Sequence, residues 1–128
     1  MNNQFVTYEI ALALKELGYS EICLGEYYTD KNKRIILSYK THYHTKKRNS
    51  IQAPLWQQAI DFLREKYDIV INIYANASGY LFEMHDSAKR GGTHRYDSGF
   101  EGPNEGGCWN IYPEARKQAI LKAIEWLV

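Results

Sequence analysis

The stretch that decides the fold is DIVINIYANASGYLFEMH, residues 68–85. Its first half is rich in β-branched residues, which favour a strand. Turn-forming residues follow in the run NASG at 76–79, and the apolar run that begins at Tyr80 is typical of a returning strand. We therefore predict an antiparallel hairpin at this point of the chain.

Helical periodicity marks three further segments. Apolar residues at helical spacing predict a first helix at about residues 7–17, with Thr7 as its N-cap and Gly18 as its stop. Pro54 suits the first turn of a second helix. A third helix begins at Tyr112, and we expect its apolar face to consist of Ala115, Ala119, Ile120, Ala123, Ile124 and Leu127.

The order of elements predicts the fold class. Residues 20–50 have strand character with a turn at 30–33, and a break is expected at Gly25. The order is helix, two or three strands, helix, hairpin, long loop and helix. This predicts an α+β domain over residues 1–128, with one small antiparallel sheet and about three helices on one face. Trp56 and Trp126 are expected to anchor the packing of helices on the sheet.

Composition excludes several classes of protein. Hydrophobic residues make up 45% of the chain and charged residues 24%, as in globular domains and unlike disordered chains. No apolar run approaches the roughly 20 residues that span a bilayer. The polar start predicts no signal peptide, so we expect a cytoplasmic protein with reduced thiols. A net charge of +1 favours no particular partner.

The segment 86–110 is the strongest candidate for a site. It contains six of the nine glycines and no helical or strand period, and long loops in compact domains are often functional. Its basic residues suit phosphates and its aromatic residues suit stacking on a base. The alternative is a surface loop of mixed charge. The candidate ligand-binding residues are Lys89, Arg90, His94, Arg95, Tyr96, Phe100 and Trp109.

A second candidate is the basic segment 31–48. Seven Lys or Arg and no acid lie between Lys31 and Asn49. Basic residues interleaved with aromatics are typical of single-strand nucleic-acid binding, here through Lys46, Lys47 and Arg48. An edge strand protected by lysines gives the same pattern, and the near-neutral net charge favours that interpretation.

Metal binding and catalysis have weaker support. Five residues could be combined on paper into a metal site, but they lack the spacing of a zinc motif: His42, His44, His85, His94 and Cys108. Cys108 could pair with His94 or His85 as nucleophile and base, yet no local signature supports that pairing. We predict no catalytic residue, no metal and no cofactor.

Three stretches together resemble a known group of proteins. They are TYEIALALKELGY at 7–19, APLWQQAIDFLREKY at 53–67, and YPEAR at 112–116. They are similar to short proteins of tailed phages and prophages of Bacteroides-like gut bacteria, a group with no known activity. The resemblance covers the helices and implies a phage origin and a scaffold. It implies no site, and the 86–110 loop departs from the group.

The leading hypothesis is a non-enzymatic phage protein that sequesters a small anionic, nucleotide-derived ligand in the bacterial cytoplasm. This is an analogy with small phage proteins that remove host immune signals. One alternative is an inhibitor of a host protein that uses the Tyr-rich strand and the basic edge. Another is nucleic-acid binding. For each of these we expect a homo-oligomer, because an exposed sheet edge can pair across a two-fold axis.

Overall fold

The computed structural model describes residues 2–39, 50–86, 95–97, 102–104 and 108–127. The chain forms two compact units, Met1–Ala59 and Ile60–Val128. Helices and antiparallel strands are both present, so the α+β prediction is confirmed. The strands lie in two three-stranded sheets, so the prediction of a single sheet was wrong. Within the described residues, no helix is both long and apolar enough to cross a membrane.

The first unit contains one helix and one sheet. Its elements are a short 3-10 helix (Asn2–Gln4), α1 (Tyr8–Glu16), β1 (Gly25–Thr29), β2 (Ile35–Tyr39) and β3 (Ile51–Ala53). The strand order is β2-β1-β3, and both pairings are antiparallel. Thr7 caps α1 as predicted, because its hydroxyl accepts a hydrogen bond of 3.4 Å from the Ile10 N–H. Gly18 follows the helix with φ +99°, the left-handed conformation that favours glycine.

Gly25 begins a strand where the sequence predicted a break. A Cβ atom at this position would lie 2.7 Å from Cδ1 of Phe5 and 3.1 Å from the carbonyl oxygen of Ala53. The Phe5 ring is itself stacked on Tyr39, with 5.6 Å between ring centroids. Glycine is required here because an aromatic ring and the neighbouring strand approach the backbone closely.

The second unit contains the predicted hairpin. α2 (Trp56–Tyr67) carries the chain into it, and β4 (Ile69–Asn76), β5 (Gly79–Asp86), β6 (Arg95–Asp97) and α3 (Tyr112–Leu127) follow. β4 and β5 pair over their whole length, which confirms the hairpin. β6 pairs with β5 inside the segment that the sequence interpreted as a loop without strand character. Three residues are too few to show a period, so this part of the loop prediction was wrong.

α3 packs against β4 and β5. The predicted apolar face is confirmed in five of its members, which are buried: Ala115, Ala119, Ile120, Ala123 and Ile124. The three alanines let the helix approach the sheet closely. Trp56 is buried as expected and its indole N–H donates to the Asn3 carbonyl at 2.8 Å. Trp126 is 37% exposed, so it is only partly the packing anchor that was predicted.

Candidate functional site

The candidate site is a cleft of about 390 Å³ in the second unit, hereafter the aromatic cleft. It is lined by Phe82, Trp109, Gln118, Leu121, Lys122 and Glu125. Its volume lies in the range of about 300–1,000 Å³ that is usual for small-molecule sites. The cleft therefore has the size and the mixed lining expected of a site for a small organic ligand.

One wall of the aromatic cleft is a face of α3. Its residues are spaced at i, i+3, i+4 and i+7, so they share one side of the helix: Gln118, Leu121, Lys122 and Glu125. This side is adjacent to the buried alanine face described above. The sequence thus gives α3 an apolar face toward the sheet and a mixed polar face toward the cleft.

The other wall consists of stacked aromatic rings. The Trp109 indole lies on the Phe82 ring, with 5.7 Å between centroids and an interplanar angle of 24°. Tyr96 of β6 lies against Phe82 with a centroid distance of 5.9 Å. Phe82 is only 1% exposed, whereas Trp109 is partly exposed. Of the two rings that line the cleft, Trp109 is therefore the one that offers surface to a flat ligand group.

The backbone of Trp109 is fixed to the start of β5. The Tyr80 N–H donates to the Trp109 carbonyl at 2.8 Å, and the Trp109 N–H donates to the Tyr80 carbonyl at 3.0 Å. A Cβ atom on Gly79 would overlap the Trp109 carbonyl oxygen, and Gly79 has φ +139°. Glycine before Tyr80 is thus a condition for the position of the indole.

Further hydrogen bonds hold the segment beside Trp109 against the β4–β5 turn. The side-chain amide of Asn104 donates to the Ser78 carbonyl at 3.0 Å and to Oδ1 of Asn110 at 2.6 Å. The Asn104 N–H donates to the Cys108 carbonyl at 2.9 Å. The buried Cys108 thiol donates to Oδ1 of Asn76 at 3.5 Å. Trp109 is therefore placed by a local network as well as by ring stacking.

Among the described residues that line the cleft, Lys122 is the one cationic side chain. Its ammonium lies 4.9 Å from the centre of the Tyr96 ring, a cation–π distance. Oε2 of Glu125 lies 3.5 Å from the same nitrogen. The Lys122 side chain is 23% exposed and that of Glu125 is 72% exposed, so the pair stands at the edge of solvent. An anionic group on a ligand could approach Lys122 from the cleft.

A second cation on α3 lies outside the lining of the cleft. The Arg116 guanidinium is 5.5 Å from the centre of the Tyr112 ring, and Tyr112 meets Tyr80 edge to face. Burial lowers the pKa of Arg116 from its ordinary value, and an electrostatic interaction with Tyr112 opposes this shift. Arginine keeps its proton in proteins, so Arg116 contributes a positive charge near the entry to α3.

The structure places the predicted ligand-binding residues as follows. Tyr96 and Trp109 lie on Phe82, and Trp109 lines the cleft. Arg95 belongs to β6, where its backbone pairs with His85. The rest of the predicted set lies outside the described residues: Lys89, Arg90, His94 and Phe100. The basic residues of the nucleic-acid alternative lie outside them too: Lys46, Lys47 and Arg48.

The sequence did not single out the α3 wall. Lys122 and Gln118 are four residues apart on a helix whose apolar face was predicted, so their shared side was visible in the pattern. What the pattern lacks is any sign that this side meets Trp109. Phe82 was assigned only to a strand, because an alternating pattern does not tell which ring a residue stacks on.

The structure gives little support to the catalytic and metal-binding alternatives. Cys108 lies beside Gly79 at the start of β5, whereas His85 lies near its other end, about 20 Å away at the rise of a strand. The pairing of Cys108 with His85 is therefore wrong. No cluster of three or more metal-ligating side chains occurs among the residues that the structure describes. His42, His44 and His94 are not among them.

Comparisons with known proteins add no relative. No family model, curated protein or solved structure matches the chain. The resemblance to short phage proteins stays a prediction from the sequence.

Proposed function

We propose that the protein is a small-molecule binder whose aromatic cleft takes an anionic, nucleotide-derived ligand without turning it over. One observation carries the proposal: the Trp109 indole, stacked on Phe82, lines the same cleft as the ammonium of Lys122. A planar base can lie on an indole, and a phosphate or other anion can pair with an ammonium.

The rest of the lining supports the same class of ligand. Gln118 offers an amide that both donates and accepts, and the Glu125 carboxylate accepts from base or ribose donors. Leu121 adds apolar surface. Half of the described lining residues are aromatic or aliphatic and half are polar, a mixture that suits a ligand with both a planar part and an anionic part.

Additional phosphate contacts are part of this proposal. Arg90 and Arg95 would hold phosphates by two-pronged contacts, with Lys89 in support. Arg95 is the first residue of β6, the strand of Tyr96, and Lys89 and Arg90 precede this strand in the sequence. From the resemblance to phage proteins we further propose that the ligand is a nucleotide-based immune signal of the bacterial host and that the protein acts in the host cytoplasm.

A thermal-shift screen tests the proposal. The pure protein is heated with AMP, with cyclic dinucleotides and with ADP-ribose. A ligand at 100 times its dissociation constant stabilises by about 2.7 kcal/mol, which moves the midpoint of a domain of this size by roughly 10 °C. Each compound that shifts the midpoint is then recovered and analysed by mass spectrometry.

The expected result is a shift for at least one nucleotide, with that compound recovered unchanged. A compound that is consumed contradicts the non-enzymatic part of the proposal. A screen without any shift contradicts the proposal as a whole.

Inhibition of a host protein is the second candidate function, and one observation favours it. Among the described strands β2 stands at the edge of its sheet, and its Ile35 is 50% exposed. An outer strand with exposed apolar side chains can pair with another chain, either a host protein or a second copy. Enrichment of one host protein on the immobilised chain, lost in Ile35→Lys, is the expected result. Light scattering reports whether two copies pair.

A further inference from the structure

A second pocket lies in the Met1–Ala59 unit, hereafter the α1–β3 pocket. Its volume is about 230 Å³, the liquid volume of about eight water molecules at roughly 30 Å³ each. It is lined by Ala11, Lys15, Gly18, Tyr19, Ser20, Ser50 and Gln52. This volume suits a compound smaller than a nucleotide, so we expect a ligand different from the one proposed above.

Gln52 is the unusual residue of the α1–β3 pocket. It is 9% exposed, and within the described residues its side-chain nitrogen has no hydrogen-bond partner. The same amide is oriented by its oxygen, which accepts a hydrogen bond of 2.6 Å from the Cys23 N–H. A buried amide donor without a partner destabilises the folded protein, so a pocket that holds one is suited to a ligand that supplies an acceptor.

The remaining groups define the chemistry of that acceptor. Among the described residues that line the pocket, Lys15 is the only one with a charged side chain, and it is exposed at the end of α1. The buried Glu26 carboxylate lies opposite Gln52 in the sheet, accepts from the Ser50 hydroxyl at 2.9 Å, and is not part of the lining. A carboxylate on the ligand would satisfy both the amide of Gln52 and the charge of Lys15.

The pocket also has apolar surface. Ala11 is buried on α1 and Tyr19 is buried just beyond its end, so a methyl group and an aromatic ring face part of the volume. A short hydrocarbon chain suits these groups better than a second charge. We infer that the α1–β3 pocket is a binding site for a short monocarboxylate, with its carboxylate on Gln52 and Lys15 and its alkyl chain beside Ala11 and Tyr19.

The test titrates butyrate into the ¹⁵N-labelled full chain and follows the side-chain amide resonances of Gln52. We expect these resonances to shift and saturate, and we expect butyramide, of the same size without the charge, to bind more weakly. Gln52→Glu keeps the acceptor for Cys23 and removes the donor. It should lower butyrate affinity by at least about tenfold, the fold-change of a hydrogen bond to a charged group.

Two further variants keep the test independent of folding. Lys15→Met changes an exposed residue and should weaken butyrate several-fold without loss of stability. Gln57→Glu makes the same chemical change as Gln52→Glu on an exposed position of α2 and should leave butyrate binding unchanged. The proposal is overturned if the Gln52 resonances do not move, or if Lys15→Met and Gln52→Glu bind butyrate as the wild type does.

Discussion

Tyr80 and Trp109 exchange both of their backbone hydrogen bonds, at 2.8 and 3.0 Å, and so fix Trp109 to the start of β5. This bridge depends on the residue before it. Gly79 has a backbone conformation that residues other than glycine rarely adopt, and it lies directly against the Trp109 carbonyl. The position of the indole therefore has a backbone cause that can be tested.

Gly79→Ala should destabilise the protein by about 2–4 kcal/mol, because backbone strain and steric overlap act together. Urea unfolding gives the free energy. Gly18→Ala is the matched control, since Gly18 shares a positive φ of +99° but stands exposed after α1. It should cost only about 1 kcal/mol. Equal losses in the two variants would show that contact with Trp109 is unimportant.

Lys122→Gln should lower the affinity for the nucleotide identified by the screen by about tenfold, because the substitution removes the charge from a charge-assisted hydrogen bond. Isothermal titration calorimetry measures the affinity. Lys117→Gln is the control, because Lys117 is on the same helix but does not line the aromatic cleft. A Lys122→Gln variant that keeps full affinity would remove the lysine from the proposed site.

Asn104→Ala should lower the free energy of unfolding by about 1 kcal/mol and should lower the affinity for the nucleotide several-fold. Its amide holds the segment of Trp109 to Ser78 and Asn110, but it does not line the cleft, so its effect on binding would act through the indole. Thermal unfolding and calorimetry report the two quantities.

Asn72→Ala serves as the comparison for Asn104→Ala. This variant also loses an exposed side-chain hydrogen bond, the one of 3.2 Å that the Asn72 amide donates to Oε1 of Glu83. Among the described residues, that bond does not involve Trp109. The Asn72→Ala variant should therefore bind the nucleotide as tightly as the wild type does. If both variants bind equally well, the Asn104 network does not position the indole.

The sequence predicted most elements because their signals are local. Thr7, Gly18 and the β4–β5 turn act within a few residues of their own position, and the structure has each of them where it was expected. β6 was missed because its pairing with β5 depends on a distant partner and on only three residues. Gly25 was misinterpreted because the ring that requires it, Phe5, comes from another part of the chain.

The candidate site could be predicted only in part, for the same reason. Trp109 was selected by residue type, and the structure places it on Phe82. The charge beside it, Lys122, comes from a helix whose exposed side carries no local sign of a ligand. Gln52 looks like any polar strand residue until the surrounding core shows that its amide is buried.

The buried thiol of Cys23 makes the stability of the protein depend on pH. Burial raises the pKa of Cys23 above its usual 9.0. The hydrogen bond between Cys23 and Tyr19 opposes this shift, and the charge of Glu21 adds to it. The folded state therefore keeps the thiol proton at a pH where the unfolded chain releases it. This contribution is fully present below about pH 9 and is lost as the pH rises through the pKa of the folded protein.

Urea unfolding at several values between about pH 7.5 and 10 should thus show stability falling at the alkaline end, and Cys23→Ala should fall less steeply. Tyr27, whose pKa burial raises from 10.0, adds a loss of the same sign only at higher pH. Tyr19→Phe removes the hydrogen bond that lowers the pKa of Cys23. The fall in stability of this variant should therefore extend to higher pH than that of the wild type. Parallel curves for wild type and Cys23→Ala would mean that another group causes the alkaline loss, because only the wild type retains the thiol.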